Sequence, residues 1–587
     1  MSKNTTNLIV IFLLAFVFFA SVFSMMGDSA TMDEVAHLPA GYSYLTQKDM
    51  RLNPEHPPLI KDLAALPLLF IKGIKFPSQI KEWKEDVNGQ WGFGFYFLYA
   101  MGNPVDKMIF WARIPMILIL VLLGFFIFKW AKELFGEKVA LLALFLFSFS
   151  PTFLAHGRFV TTDIGAATGV LIATYYFIAF LKSSTKKNLI LSGASLAFAI
   201  LVKFNTFLLL PFFGILIVVK SLIESQNLKS FLKTLFARLL SFVLILVICF
   251  ALVWIVYAYH TANYPIERQV RDIKFLLSSH PIRFIGPLLS QLARISILRP
   301  IVQYLLGLFL VFQRASFGHT TFFLGEVSAS GWKNYFPVVY AIKETLPFHI
   351  LTIIALLWAS IKIKEPFWQN SFGRFKKWVG LHFTEFAFLL FLGIYWAASI
   401  ASPLNIGVRH LLPVLPLTIL LVSRQIVELL EKSHLKPKCA LLGLLLAWQV
   451  LEVISIYPHF LAYFNELVGG PNNGYIYVVD SNLDWGQDLK RLEGWVKANG
   501  IEKIYVDYFG GGSAEYYLKQ KFMPWWGTRS EKEFEKPNYF AISASILQGG
   551  TGTPVAGFNQ SFSYYSWLNK YNPVAKIGYS IFVYYIK

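Results

Sequence analysis

Apolar runs of near-spanning length recur along the chain at roughly 8–26, 108–128, 138–154, 164–181, 189–202, 204–219, 239–259, 345–361, 380–401, 409–424 and 439–457, about eleven in all. Two shorter apolar stretches, 59–71 and 301–312, fall below spanning length and read as helices lying in the membrane interface, the second alternatively as a re-entrant segment. After residue 457 the pattern changes. Gly, Asn, Asp and Lys become common, and short alternating segments predict strands at 475–479, 503–508, 539–543 and 577–585 with a helix at 487–498. The expected fold class is a polytopic α-helical membrane protein with about 11 transmembrane helices and a small C-terminal α/β domain. The domain line falls between 1–457 and 458–587.

The segments between runs alternate in character. Those at 129–138, 182–187, 220–238, 362–377 and 424–438 are rich in Lys and Arg and read as cytoplasmic. The other face then receives 27–107, 155–163, 260–344, 402–410 and the tail, which puts the N-terminus in the cytoplasm and the C-terminal domain outside it. The first run resembles a signal peptide in position, but it is long enough to span and no small-x-small cleavage site follows, so it reads as a retained helix. The chain is therefore expected to be integral to the cytoplasmic (inner) membrane.

Composition agrees with this pattern. Hydrophobic residues make up 56% of the chain and charged residues only 15%, with mean hydropathy +0.52, whereas soluble chains average about 25% charge. The net charge of +19 lies largely in short inter-span segments, so it points to membrane lipid and phosphate and not to nucleic acid. Two cysteines, Cys249 in a span and Cys439 near a cytoplasmic edge, leave no basis for a disulfide or a thiolate metal site.

The spans hold few ionisable groups; the unusual chemistry collects on one face. Thr31-Met-Asp-Glu-Val-Ala-His37 places Asp33 and Glu34 just after the first span. A carboxylate there can take a proton from a hydroxyl nucleophile, and a helix-capping Asp is the competing reading. Asn53-Pro-Glu-His-Pro-Pro58 presents Glu55 and His56 on a backbone stiffened by proline, suited to a metal or phosphate contact, or else to a turn. Arg158 and Asp163 stand in His156-Gly-Arg-Phe-Val-Thr-Thr-Asp163; a guanidinium matches phosphate oxygens bidentately, and Asp163 serves equally as a helix cap. Lys203 is a rare cation at the ends of two short runs, and Arg409-His410 opens a span from the face that normally lacks cations. His319, Glu326 and the aromatic Trp332, Tyr335 and Phe336 close the third loop. In the tail, Asp480-Ser-Asn-Leu-Asp-Trp-Gly-Gln-Asp488 spaces oxygens as a calcium loop does but lacks its central Gly and terminal Glu, so a strand-to-helix turn near Asn482 or Asp484 is preferred. Gly510-Gly-Gly-Ser513 reads as a turn that could cradle an anion.

Taken in order, Asp33-Glu34, Asn53–Pro58, His156–Asp163, Val202-Lys-Phe-Asn205, Leu324-Gly-Glu through Pro337 and Asn405-Ile-Gly-Val-Arg-His-Leu-Leu-Pro413 resemble the bacterial GT-C glycosyltransferases, relatives of protein O-mannosyltransferases and aminoarabinose transferases. Leu461–Pro471 and Val479–Asp488 are similar to the branch described as phospholipid-carrier-dependent glycosyltransferases. The resemblance covers nearly the whole chain. It implies a GT-C fold and transfer of a hexose or pentose, with inversion, from a polyprenyl-phosphate-sugar donor to an acceptor on the extracytoplasmic face. By this resemblance Asp33 takes the first-loop catalytic aspartate position and Asp163 the second-loop acidic position; Glu34, beside Asp33, is a further candidate catalytic carboxylate. Arg158, Lys203, Arg409, His410, His56 and Glu326 would hold donor phosphate or substrate. Glu55 matches the acidic residue of a Glu-Lys-Pro-Pro motif, but His56 stands where that motif has Lys, which shifts phosphate binding to the other cations and makes a divalent metal on Glu55 and His56 a candidate cofactor. The acceptor (protein, lipid or glycan) is left open. A flippase for a lipid-linked glycan, or a non-catalytic glycan-binding scaffold, are the alternative functions; the scarcity of charge inside the spans argues against the first.

Overall fold

In a computed structural model, residues 2–362, 370–433 and 436–587 are described; parts of the basic segments 362–377 and 424–438 lie outside them. Among the described residues eight helices are long and apolar enough to cross a membrane: Lys3–Met25, Val105–Phe135, Asp163–Lys182, Phe204–Glu224, Leu228–His260, Arg299–Phe317, Phe383–Ala401 and Lys436–Ile456. Tyr335–Lys343 and Leu346–Ile361 make a ninth if their 112° bend is crossed as one span. The protein is thus an integral, multi-pass membrane protein, with fewer spans than the eleven expected.

The difference has local causes. Glu137–Ser148 has 12 residues, about 18 Å of helix, well short of a hydrocarbon core of about 30 Å. The chain turns at Ser150 and restarts with Pro151 in the first turn of Pro151–His156. Lys186–Val202 stops after 17 residues at Lys203, whose backbone is extended. Leu415–Ser433 carries Arg424, Glu428, Glu431 and Lys432 on an amphipathic helix. All three still pack among the spans, Glu137–Ser148 against Val105–Phe135 and Lys186–Val202 against Asp163–Lys182. Conversely, 301–312, expected to lie in the interface, belongs to the span-length helix Arg299–Phe317.

The first long loop folds back over the ends of the spans. Met32–Gln47 and Leu59–Ala65 lie against each other at Gly41, where a Cβ would sit 2.1 Å from the Lys61 carbonyl oxygen. The segment 59–71, expected as an interfacial helix, is buried through Ile60, Lys61, Ala64 and Ala65, and only its final 3-10 turn exposes Leu66, Leu69 and Phe70.

The tail forms a five-stranded mixed sheet in the order Phe522–Pro524, Ile504–Asp507, Asn538–Ser543, Ile581–Ile586, Pro573–Ile577; the first three are parallel and the last two pair antiparallel. Leu489–Ala498 covers one face through Leu489, Leu492 and Val496. The other face, with Tyr505, Phe540 and Phe582, joins the apolar core that continues into the helices. The strand expected at 577–585 is a hairpin, because Gly578 and Tyr579 both adopt positive φ. The segment 475–479 begins as a 3-10 turn, Gly474–Ile476. Phe522–Pro524, with only three residues, had no pattern by which to be found. A second small sheet, Thr321–Phe323, Glu326–Ser328 and Thr553–Pro554, ties the third loop to the tail.

Candidate active site

A cavity of about 120 Å³ opens where the first loop, the break after Lys186–Val202, the end of Arg299–Phe317 and the 404–410 segment meet. Asp33, Glu55, His56, Lys203, Arg409 and His410 line it, with Thr162, Asn205 and Arg314. Asp33 is free to face it because other groups complete the helix start: Thr31 is the N-cap residue of Met32–Gln47, and Glu34 accepts the Thr31 backbone N–H at 2.8 Å. Asp33 is 23% exposed, the most open carboxylate of its ion-pair network. It accepts from Arg409 Nη1 at 2.7 Å, and the same nitrogen lies 3.4 Å from Asp163. Asp163, in the first turn of Asp163–Lys182, is bound on its other oxygen by Lys203. The result is a chain of alternating charge, Asp33–Arg409–Asp163–Lys203, in which Asp33, Arg409 and Lys203 line the cavity and Asp163, an expected catalytic carboxylate, is buried behind them.

Burial pushes the Asp33 carboxyl up, but the neighbouring Arg409 guanidinium outweighs it and holds the group below the usual carboxylate range. Arg409 is kept charged against burial by Asp33 and Asp163. His410 is driven down to about 3 by burial and then by Lys203, and His56 well below its ordinary value by burial and then by His37 and Lys61. Both imidazoles are therefore neutral near pH 7. Asn205 Oδ1 and His410 Nδ1 are buried with no hydrogen-bond partner among the described residues, so the wall offers polar atoms that its own side chains do not satisfy.

Several groups to which the sequence assigned no part in the site hold this arrangement. Trp485 is almost fully buried and lies under the Arg409 guanidinium, 4.2 Å from ring centroid to Cζ. Asn482 accepts the Val408 N–H at 2.9 Å and Ser481 donates to the Ile406 carbonyl at 2.9 Å. The tail motif 480–488 thereby props the Arg409 segment from below. Lys61 donates to Tyr44, to Asn53 and to the His56 carbonyl, fixing the 53–58 turn. Arg314 reaches the cavity from the end of Arg299–Phe317 and forms no ion pair among the described residues; it sits in an apolar helix whose polar end gave no spacing signal.

Three expected site residues stand elsewhere. Glu34 is wholly buried, gripped by Arg113 at 2.8 and 2.7 Å and by the Val160 N–H at 3.0 Å; no oxygen is left for a substrate. Arg158 is 1% exposed and pairs with Asp28 at 3.1 Å, away from the cavity. Glu326 is exposed on a strand, where Trp332 donates to it at 3.2 Å, and does not line the cavity. Glu55 does line it, but accepts from Gln90 and Asn88. No group of three or more His, Cys, Asp or Glu side chains placed to hold a metal occurs among the described residues. Glu55 and His56 supply two donors at most, with Lys61, Lys203 and Arg314 acting on His56, so this donor set does not fit a divalent cation. In the tail, Asp484 and Asp488 are bonded to Ser545 and to Ser580 and Arg491, and the helix starts after Asp488, later than the expected Asn482 or Asp484.

Residues 93–254 match the family model described as dolichyl-phosphate-mannose-protein mannosyltransferase. Among solved structures, the chain is similar to ArnT from Cupriavidus metallidurans bound to undecaprenyl phosphate, at 13% identity over 100% of this chain and 98% of that one, TM-score 0.46. It is similar to the oligosaccharyltransferase AglB from Archaeoglobus fulgidus in complex with an inhibitory peptide and a dolichol-phosphate, at 12% over 92% and 71%, TM-score 0.44. It is also similar to the S. cerevisiae Pmt1-Pmt2 complex bound to the sugar donor, at 18% over 45% of this chain, TM-score 0.34, and spans about a third (34%) of the length of that chain. No curated protein matches. The family match covers Asp163 and Lys203, two members of the ion-pair chain described above.

Proposed function

We propose that the protein moves a sugar from a polyprenyl-phosphate carrier to an acceptor hydroxyl on the extracytoplasmic face, with inversion, and that Asp33 is the base. The observation that carries this reading is the Asp33–Arg409–Asp163–Lys203 chain along a cavity at the ends of the spans. A lipid-borne phosphate needs its headgroup at such a boundary, and guanidinium and ammonium groups are its natural partners. Arg409, Lys203 and Arg314 would hold the phosphate; Arg314 is the group with no carboxylate to give up first. The acceptor oxygen attacks the anomeric carbon as the bond from that carbon to the phosphate oxygen breaks. The hydroxyl proton passes to Asp33, and polyprenyl phosphate leaves as the anion stabilised by the cations.

Pairing to Arg409 makes Asp33 a weak base in the empty site. A phosphate competing for Arg409 loosens that pair and lets burial raise the carboxyl, so donor binding switches the base on. Asp163 and Lys203 then keep Arg409 in place from the other side. The test is label transfer from a panel of polyprenyl-phosphate sugars to membrane extract by the purified protein. Asp33→Asn is expected to lower transfer by about 100-fold or more while donor binding persists. Equal transfer by wild type and variant would remove Asp33 from the mechanism.

A further inference from the structure

A second cavity, about 460 Å³, lies between the 319–322 segment and the tail, lined by Phe322, Asp480, Phe509, Ser545, Gln560 and Tyr564 among others. That is a ligand-sized space, larger than the cavity at Asp33 and built from segments outside the spans. Asp480 stands between the two. It lines the second cavity, and the next residue, Ser481, donates to the carbonyl of Ile406, which lines the first. Its backbone is held at φ 54, with its N–H donated to Ser545 Oγ at 3.0 Å. Building on the transferase reading, we propose that this cavity is the acceptor site and that its occupant is a neutral carbohydrate chain, which presents one hydroxyl past Asp480 towards Asp33.

The lining chooses among acceptor classes. Five rings, of His319, Phe322, Phe509, Tyr564 and Tyr565, surround a carboxyl, a serine hydroxyl and the Gln560 amide. Aromatic faces beside planar polar groups suit sugar rings, which carry C–H faces and hydroxyl edges. Among the described residues no Lys or Arg lines the cavity, so a phosphorylated lipid headgroup or an anionic polymer would meet the Asp480 carboxyl with no cation in the lining to pair it. A peptide bound by strand addition would need a free strand edge. The nearest, Thr321–Phe323, is already taken: Phe323 bridges Val478, and the Tyr477 carbonyl accepts the Leu324 N–H at 2.9 Å.

The experiment uses the full chain in detergent with unlabelled mannotriose, maltotriose, chitotriose and cellotriose, a Ser/Thr-rich decapeptide, and vesicles of phosphatidylglycerol. Saturation-transfer NMR reads binding, and release of labelled sugar from a polyprenyl-phosphate donor into water reads donor turnover in the same samples. At least one trisaccharide is expected to bind, and Tyr564→Ala and Gln560→Ala each to weaken it by about tenfold with the donor's half-saturating concentration as internal reference. Both side chains are partly exposed. No trisaccharide binding to wild type overturns the proposal, as does trisaccharide binding unchanged in both variants. Binding of the peptide or the vesicles that Tyr564→Ala weakens also overturns it, in favour of that class. Absence of donor turnover in wild type instead sinks the transferase mechanism, while trisaccharide binding still reports on this cavity.

Discussion

Asp33 and Glu34 are neighbours in sequence and opposites in environment. Successive helical positions point about 100° apart, so one carboxylate turns to the cavity and the other to the Arg113 pocket. Their acid-base behaviour follows from what each meets there. Arg409 is the group that holds Asp33 low, and removing it leaves burial as the dominant influence. Arg409→Gln is therefore expected to move the acid limb of kcat/KM for the donor to higher pH, besides weakening donor binding. A pH profile of the variant with an unchanged acid limb would show that Asp33 does not feel Arg409 in the working enzyme. The histidines carry no such switch near neutrality, because burial keeps His56 and His410 neutral.

At the scale of elements, the site depends on close helix contact. Gly41 lets Met32–Gln47 approach the Lys61 carbonyl, and Lys61 in turn ties down the turn that bears Glu55 and His56. A second such approach is Gly511, where a Cβ would lie 2.1 Å from the Thr31 carbonyl oxygen; the Gly510–Ser513 run thus serves close packing of the tail on the start of the Asp33 helix. Gly41→Val is expected to cost about 1–3 kcal/mol of stability and to lower donor turnover by displacing the 53–58 turn. Gly393→Ala, in a helix with open space around the position, should leave both unchanged. Thermal unfolding in detergent together with turnover checks the pair.

Across the whole molecule, a buried charge cluster locks the tail to the first loop. Arg491, on Leu489–Ala498, contacts Asp28 at 2.7 Å and Asp488 at 2.6 Å, and Arg158 reaches Asp28 from the opposite side. Removing one partner of a buried pair strands the others, at about 3–5 kcal/mol. Arg491→Gln is expected to lower the unfolding midpoint and to raise hydrogen exchange over 486–500 and around Asp28. Because Trp485 and Asn482 support Arg409 from the same tail, donor turnover should fall with it. Full turnover alongside faster exchange would show that the tail is not needed to hold the site.

Periodicity and composition are local properties, and they were enough for the membrane class, most spans, the strand-rich tail and a set of charged residues gathered at one end of the bundle. Asp33, His56, Lys203, Arg409 and His410 do line one cavity. What a charged side chain points at is a non-local property, and there the tertiary structure decided. Arg158 and Glu34 look as suitable as Arg409 and Asp33 in sequence, yet each has a buried opposite charge, Asp28 or Arg113, more than 70 residues away along the chain. Helix length was decided the same way: short helices such as Glu137–Ser148 persist because neighbouring spans bury them, a partner that hydropathy along one segment does not register.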